Sequence, residues 1–171
     1  ARYSGNLLVL WLDAHGDLNA PKESQTGLFY GMPARILMGE SGLFTDVIEY
    51  PLRPQQLVQI GGRDFDEAEL KYMQQNHICR ISCKDLCEAK CFLKQYKECN
   101  IYVHLDLDVI NPDEFPNTPL PVRDGASKDA TLDLLSEIIS NYPFVGLGLY
   151  EYAPSGQKTS LIESIFDLLL K

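Results

Sequence analysis

The chain has 171 residues, of which 45% are hydrophobic and 23% charged, with a formal net charge of −9. This length suits one domain with a sizeable core, and we expect residues 1–171 to form a single domain. The acidic balance argues against nucleic acid or an anionic membrane as partner and agrees with metal ions or a cationic substrate. The sequence shows no bilayer-spanning apolar run and no secretory signal pattern at its start, so we expect a cytoplasmic protein.

Short apolar runs alternate with helical patterns along the chain, which predicts an α/β fold with a mainly parallel sheet. The predicted strands are residues 7–13, 57–61, 78–81, 101–107 and 144–150. The predicted helices are residues 33–40, 66–75, 82–97, 127–140 and 160–170. Pro in the first turn, or a Ser or Asp cap, is the expected start of several of them. Residues 112–125, which contain four prolines, are predicted to form a long loop beside a pocket.

Five cysteines fall within one stretch of the chain, at positions 79, 83, 87, 91 and 99. Cysteine metal sites usually combine two short C-x-x-C pairs, and this stretch has none. The odd count also argues against a complete set of disulfides. We therefore predict reduced thiols on a helix.

Two acidic motifs stand where predicted strands end. The first contains Asp13, His15 and Asp17, and the second contains Asp106 and Asp108. In extended backbone alternate side chains share a face, so each motif can direct its polar groups to one point. Either motif alone is also typical of a turn in which Asp caps a helix. Together they would place four carboxylates side by side, an arrangement that is costly without a cation.

The donor atoms of the two motifs indicate which cation would bind. Carboxylate oxygens with one imidazole and no thiolate suit Mn²⁺ better than a structural zinc ion. Two ions about 3.5–4 Å apart can lower the pKa of a bridging water and make hydroxide available at neutral pH. The motifs therefore predict a two-metal site and a hydrolytic reaction.

Residues 10–19, with the sequence LWLDAHGDLN, resemble the Asp-Ala-His-x-Asp signature of the arginase, agmatinase and formimidoylglutamase family, the ureohydrolases. The resemblance continues in order through residues 27–33 (GLFYGMP), 60–66 (IGGRDFD), 104–112 (HLDLDVINP), 118–121 (TPLP) and 147–154 (LGLYEYAP). Six segments in the family's order are far more specific than one motif. The resemblance implies a three-layer α/β/α fold with a mainly parallel sheet.

The same resemblance implies a centre that holds two Mn²⁺ ions. Asp13 and Asp106 would bridge the ions, His15 and Asp108 would complete one of them, and Asp17 would bind the other. Family members supply a further histidine from a Gly-Gly-Asp-His segment that lies upstream of the region matched here. We therefore expect the first third of the family's domain to have no counterpart in residues 1–171, which leaves the fold incomplete at its N-terminus.

The resemblance also implies that Glu151 faces the guanidinium of the substrate. A carboxylate suits this place because it matches a planar cation through paired charge-assisted hydrogen bonds. Asn19, Thr26 and Asp66 fall where arginine-specific members hold the amino-acid end of the substrate. Tyr30 occupies the place of a histidine that shuttles protons in the arginase branch. A phenol, which titrates near ~10, is a poor base at neutral pH but can donate a hydrogen bond.

Two other histidines are poor substitutes for the upstream ligand. We expect His77 to be structural or exposed. His104 can share a face with Asp106, but a histidine inside a strand is more often packed or hydrogen-bonded than a metal ligand. Leu28 stands where arginine-specific members carry an amide, which weakens the argument for arginine.

The resemblance implies hydrolysis of the amidine C–N bond of a small cationic guanidino substrate, with arginine ahead of agmatine and formiminoglutamate. The alternative is a catalytically weak or inactive relative that acts as a binding or regulatory partner. Deacetylase-like amide hydrolysis is a third possibility, although that branch normally uses one zinc ion and fits the paired D-x-D poorly. Homo-oligomers, either trimers or hexamers, are implied by the resemblance alone.

Overall fold

The computed structural model describes residues 3, 5–40, 42–44, 46–84, 86–154 and 160–170. Its five strands form one sheet with the order β3-β2-β1-β4-β5, in which every neighbouring pair is parallel. The strands are β1 (Leu7–Leu12), β2 (Leu57–Ile60), β3 (Cys79–Ile81), β4 (Asn100–Asp106) and β5 (Phe144–Tyr150). The predicted α/β fold with a parallel sheet is confirmed.

The central strand β1 is an unbroken apolar run, LLVLWL, which is typical of a parallel strand that is buried on both faces. It pairs with β4 from Leu7 opposite Asn100 to Leu12 opposite Leu105. Because the two strands are parallel and in register, they end at the same edge of the sheet. The residues that follow them therefore meet at that edge.

The five helices are α1 (Pro33–Leu37), α2 (Glu67–Gln75), α3 (Leu86–Leu93), α4 (Lys128–Asn141) and α5 (Ser160–Leu169). Leu8, Leu10 and Leu12 of β1 point to the core beneath α3, α4 and α5. Val9 and Trp11 point to the opposite face, where they pack with residues of α1 and α2. Helices on both faces of one sheet give three layers, as the sequence predicts.

Two helices differ from the predicted bounds by more than one residue. Helix α1 ends at Leu37 because Gly39 follows in the left-handed region, with φ of 72°. Helix α3 begins at Leu86, four residues later than predicted, because Ser82 Oγ accepts the backbone N–H of Lys84 and stabilises a turn there. A short 3₁₀ turn replaces the predicted end of that helix.

The long loop is confirmed, since residues 112–125 contain no helix or strand. It returns to the sheet edge at Ala126, whose backbone bonds with that of Asn111 and Val109. Within the described residues, no helix combines the length and apolar character needed to cross a membrane.

Candidate metal centre

The two acidic motifs lie together at the carboxyl edge of the sheet. Asp13 comes directly after β1, and its backbone N–H donates to the carbonyl oxygen of Ile60. Asp106 is the last residue of β4, and Asp108 lies in the 3₁₀ turn Leu107–Val109 that follows. Ligands of open parallel sheets bind at this edge, so the placement suits a functional site.

One group of donor atoms joins the two motifs. His15 Nδ1 lies 2.8 Å from Asp108 Oδ2 and 3.5 Å from Asp13 Oδ1. The backbone N–H of Ala14 donates to Asp108 Oδ1 over 2.9 Å, and the N–H of His15 donates to Asp13 Oδ1 over 2.7 Å. Donor atoms of Asp13, His15 and Asp108 all lie within 4.8 Å of one another.

Two further groups share residues with the first. Asp13 also lies within 4.8 Å of donor atoms of Asp17 and His104, and Asp108 lies equally near Asp106 and Glu151. The structure therefore brings together all five predicted metal ligands, together with Glu151, which is predicted to face the substrate. Because Asp13 and Asp108 each belong to two groups, the three groups form one continuous cluster.

Asp17 and Glu151 reach this cluster through unusual backbone. Their φ angles are 56° and 54°, in the left-handed region that residues other than glycine seldom adopt. Conformations of this kind cost about 1–3 kcal/mol each and concentrate at functional sites. The chain thus holds two carboxylates in strained conformations at the edge of the cluster.

The crowding of acids shows in their protonation. Burial, followed by the nearby charges of Asp13 and Asp108, raises the pKa of Asp106 to about 9. Burial and neighbouring acids likewise raise the pKa of Asp17 and of Glu151 above their usual range. Without a cation, the cluster therefore retains protons at neutral pH.

Histidine partly offsets this repulsion. Contacts with Asp108 and Asp13 raise the pKa of His15 to about 11. Burial opposes ionisation of Asp13, but the contacts of its carboxylate with His104 and His15 lower its pKa overall. The positive charge of His15 therefore offsets part of the negative charge of the cluster.

The donor set fits divalent cations. The buried polar atoms that lack a hydrogen-bond partner among the described residues include two of this cluster, His104 Nε2 and Glu151 Oε2. Asp108 Oδ2 makes no hydrogen bond there either, but it lies 2.8 Å from His15 Nδ1. Buried polar groups normally have partners, so two unsatisfied atoms in one cluster are consistent with metal coordination.

The predicted substrate residues are only partly brought together. Asn19 Nδ2 donates to Asp66 Oδ2 over 2.8 Å, and Gln25 Nε2 donates to the other oxygen of Asp66 over 3.0 Å. Thr26 lies on the exposed loop next to Gln25, where its hydroxyl oxygen accepts the backbone N–H of Leu28. Asn19 and Asp66 thus form one polar pair, and Thr26 is beside it without contacting it.

Tyr30 borders a cavity of about 750 Å³, which also reaches Asp17 and His104. Its side chain is half exposed. The remaining four predicted ligands and Glu151 do not line this mostly apolar cavity, which extends along one face of the sheet from the edge of the cluster. Tyr30 therefore borders the same cavity as Asp17 and His104.

Arg63 positions the backbone around the cluster, although no motif in the sequence indicates this role. Its guanidinium donates to five backbone carbonyl groups, those of Gly61, Asp108, Val109, Val122 and Arg123. The side chain thereby ties the turn that holds Asp108 to the end of β2 and to the long loop. No spacing rule identifies it, because its partners are main-chain atoms and four of the five are more than 40 residues away in sequence.

Glu69, which is buried in α2, also supports the site and was not predicted to do so. Its two carboxylate oxygens accept the backbone N–H groups of Leu18 and Asp66, at 2.9 and 2.8 Å. The bond to Asp66 belongs to the cap of α2, so its signal in the sequence was the acid three residues into the helix. The bond to Leu18 fixes the segment that follows Asp17.

The parallel sheet and the acid–histidine cluster define a class, that of α/β proteins with a site for divalent cations at the carboxyl edge of the sheet. The Arginase family model matches residues 1–166, and the chain belongs to the arginase family.

Individual relatives agree with this assignment. The chain is 32% identical over 160 residues to an arginase of Staphylococcus aureus, a match that covers 85% of this chain and 53% of that protein. It is 30% identical over 172 residues to the N(omega)-hydroxy-L-arginine amidinohydrolase of Streptomyces lavendulae, covering 99% of this chain and 61% of that protein.

The fold matches solved arginase structures. The arginase of Bacillus subtilis aligns with a TM-score of 0.82 at 26% identity, covering 96% of this chain and 61% of that one. The Entamoeba histolytica arginase, solved with L-ornithine, aligns with a TM-score of 0.84 at 24% identity, covering 96% of this chain and 58% of that one. The chain thus spans between half and two thirds of the length of these relatives.

Proposed function

We propose that the protein is a metal-dependent hydrolase that cleaves the amidine C–N bond of a guanidino compound. The observation that carries this proposal is the grouping of Asp13, His15 and Asp108 donor atoms within 4.8 Å, next to Asp106 and Glu151. The names of two relatives, an arginase and a hydroxyarginine amidinohydrolase, support a guanidino substrate.

Five residues would hold two Mn²⁺ ions in this proposal. His15 and Asp108 would hold one ion, Asp17 would hold the other, and Asp13 and Asp106 would contribute carboxylate oxygens to the pair. When bound, the ions would lower the pKa of a water molecule and supply hydroxide at neutral pH. Cations would also lower the pKa of Asp106, which is raised to about 9 without them, and keep its carboxylate ionised.

Glu151 would bind and orient the guanidinium. The pKa of its carboxyl is raised by burial, and Oε2 has no hydrogen-bond partner among the described residues, so a cationic partner would both ionise and satisfy it. Water would add to the guanidinium carbon, and the bond to the substrate nitrogen would then break as that nitrogen takes up a proton. Asn19, Asp66 and Thr26 would contact the far end of the substrate.

Tyr30 would serve as a hydrogen-bond donor from the side of the apolar cavity. Its phenol is half exposed, which permits contact with a molecule in that cavity. A neutral phenol does not accept protons readily near pH 7, so proton transfer to the leaving nitrogen would involve water.

The test is an assay of the purified chain with Mn²⁺ and each of arginine, agmatine and formiminoglutamate. Release of urea from arginine or agmatine, or of formamide from formiminoglutamate, supports the proposal and identifies the substrate. We expect arginine to be hydrolysed fastest and Glu151→Gln to reduce hydrolysis at least 100-fold. Hydrolysis of none of the three, in the chain or in a version extended upstream, would contradict the proposal.

A second candidate function is that of a non-catalytic family member that binds metal or a partner. The observation that favours it is Tyr30, which stands where the arginase branch has a histidine that transfers protons. Binding of Mn²⁺ without hydrolysis of any guanidino substrate would support that candidate. The trimeric or hexameric state and the cytoplasmic location stay predictions.

A further inference from the structure

His104 lies in the middle of an aromatic stack on one face of the sheet. Its ring centroid is 3.6 Å from that of Trp11 with the planes at 7°, and 4.1 Å from that of Tyr150 with the planes at 15°. Trp11 is its partner in register on β1, and Gly148 is its partner on β5. The packing predicted for His104 is confirmed.

Gly148 makes this stack possible. A Cβ atom at this position would lie 2.5 Å from the Tyr150 hydroxyl and 2.6 Å from the Tyr102 hydroxyl. The missing side chain therefore leaves the room in which Tyr150 covers the imidazole. Held between two rings, the imidazole plane of His104 has little freedom to tilt, so the outer edge of the ring stays directed toward the cluster.

The stack directs a nitrogen atom of His104 into the acidic cluster. His104 is 6% exposed, and its Nε2 is buried without a hydrogen-bond partner among the described residues. The nearest carboxylate oxygen is Asp13 Oδ2 at 3.7 Å, which is too long for a hydrogen bond. Two ligands at about 2.1 Å from one ion lie up to ~4 Å apart, so this separation suits two atoms on either side of a cation.

His104 forms a group of three possible metal ligands with Asp13 and Asp17. Its donor atoms lie within 4.8 Å of those of Asp13 and Asp17, while His15 belongs with Asp13 and Asp108. Each group thus contains one histidine, and Asp13 belongs to both. Among the described residues, the group at Asp17 contains no nitrogen donor other than His104.

We propose that His104 Nε2 is a ligand of the cation that Asp13 and Asp17 hold. This inference rests on the metal binding in the proposed function and adds a ligand to it. The aromatic stack would act as a support that keeps the imidazole edge toward the ion, the role that hydrogen bonds to metal-bound histidines usually have. A neutral imidazole also adds a donor without adding to the negative charge of the cluster.

The test compares three proteins in Mn²⁺ titrations followed by calorimetry, with Mn²⁺ as the only added metal. His104→Phe keeps an aromatic ring in the stack and removes the nitrogen. His77→Asn is the matched control, because His77 is exposed and is the remaining histidine besides His15. We expect two ions for the wild type and the control, and at least about 100-fold weaker binding of one ion in His104→Phe, since loss of outer-shell partners alone costs 10–100-fold.

Nitrogen NMR of the wild-type chain provides a second measurement that does not depend on a variant. With histidine labelled by ¹⁵N and Cd²⁺ as a diamagnetic probe, we expect Nε2 of His104 and Nδ1 of His15 to shift on metal binding and His77 to stay unchanged. If His104→Phe does not fold, this measurement decides the question alone.

The outcomes separate this inference from the proposed function. Two ions bound equally well by His104→Phe, or an unshifted His104 resonance in the metal-loaded chain, would overturn the role of His104 and leave guanidino hydrolysis standing. A shifted His104 resonance in a chain that hydrolyses no guanidino substrate would support the ligand and refute the activity. Absence of metal binding by the wild type would overturn the inference.

Discussion

Asp108 connects the two acidic motifs, because both of its carboxylate oxygens contact residues of the segment that follows β1. Oδ1 accepts the backbone N–H of Ala14 at 2.9 Å, and Oδ2 lies 2.8 Å from His15 Nδ1. The side chain is 1% exposed, so its charge is shielded from water and must be balanced locally. One oxygen of this carboxylate thus makes a structural hydrogen bond, and the other faces His15, beside which a cation would bind.

We therefore expect Asp108→Asn to keep the fold and lose the metal. The amide oxygen can still accept the N–H of Ala14, whereas the negative charge that a cation needs is absent. Thermal unfolding with and without Mn²⁺ measures this, and we expect the metal-dependent rise in Tm to disappear in the variant.

Asp113→Asn is the control, because Asp113 is exposed in the loop after β4. It should retain the full rise in Tm. An equal rise in Asp108→Asn would show that Asp108 does not bind the ion.

Arg63 connects elements that the sheet alone does not hold. Its five bonds to carbonyl groups join the end of β2, the turn after β4 and the long loop, over separations of up to 60 residues. Hydrogen bonds from a charged donor contribute about 1.5–3 kcal/mol each, although the five are not additive. The turn that contains Asp108 is thus positioned by a residue outside the cluster.

Arg63→Lys should lower the free energy of unfolding by about 2–4 kcal/mol, since an ammonium group cannot reach five carbonyl groups spread around a planar fork. We also expect Mn²⁺ affinity to fall by about 10–100-fold, as for other residues that orient ligands. Urea unfolding and Mn²⁺ titration measure the two effects. Arg123→Lys, at an exposed position whose backbone carbonyl is unchanged, should change neither by more than the error, and equal behaviour of the two variants would refute the role of Arg63.

Gly125 marks the closest approach of the long loop to the sheet edge. A Cβ atom there would lie 2.5 Å from the backbone nitrogen of Asn111 and 2.6 Å from the carbonyl oxygen of Val109. These are main-chain atoms, which cannot move aside as a side chain can.

Gly125→Ala should therefore break the backbone bonds between Ala126 and its two partners, and destabilise the protein by about 1–3 kcal/mol. Chemical denaturation measures the loss. Gly5→Ala is the control, since a Cβ atom at Gly5 would meet nothing within 4 Å. A stability change no larger than that of the control would contradict the close approach.

Much of the architecture followed from local pattern. Strand β5 matches its predicted bounds, and the two acidic motifs fall at strand ends as predicted, because apolar runs and their polar ends are local features. Four of the five contacts of Arg63 and the hydrogen bond between Asn19 and Asp66 do not follow from local pattern, since each joins residues more than 40 positions apart. The nitrogen direction of His104 was equally hidden, because it depends on rings from two neighbouring strands.

The acidic residues of the molecule are unevenly distributed, because several buried carboxyl groups lie together at the carboxyl edge of the sheet. Asp106 has a folded-state pKa of about 9, so the folded chain keeps a proton that the unfolded chain loses near 4. His15 has a folded-state pKa of about 11, so its stabilising contribution is complete below 6.5 and is lost as pH rises toward 11. Both effects make the metal-free protein less stable as pH rises from 6.5 to 9.

We expect the free energy of unfolding of the chelator-treated chain to fall by at least about 1 kcal/mol between pH 7 and pH 9, given up to 1.4 kcal/mol per proton and pH unit. Saturating Mn²⁺ should reduce this dependence, because bound cations replace the protons. Urea unfolding at several pH values, with chelator and with Mn²⁺, tests both statements. Stability that rises with pH in the chelator would contradict them.

We also expect one cooperative transition in these experiments, in keeping with the proposal that residues 1–171 form a single domain. Circular dichroism and the fluorescence of Trp11, the only tryptophan, should give the same midpoint. Two separate transitions would contradict the single domain.

The left-handed backbone at Asp17 and Glu151 has a consequence for how this protein would change under selection for heat resistance alone. Asparagine adopts the left-handed conformation more readily than most residues and carries no charge. Replacing Asp17 or Glu151 with asparagine would therefore reduce both the backbone strain and the repulsion between acidic groups. Variants such as Glu151→Asn should therefore melt later than the parent and lose the guanidino hydrolysis that we propose. Thermostability screens without an activity filter would therefore select substitutions at Asp17 and Glu151 early.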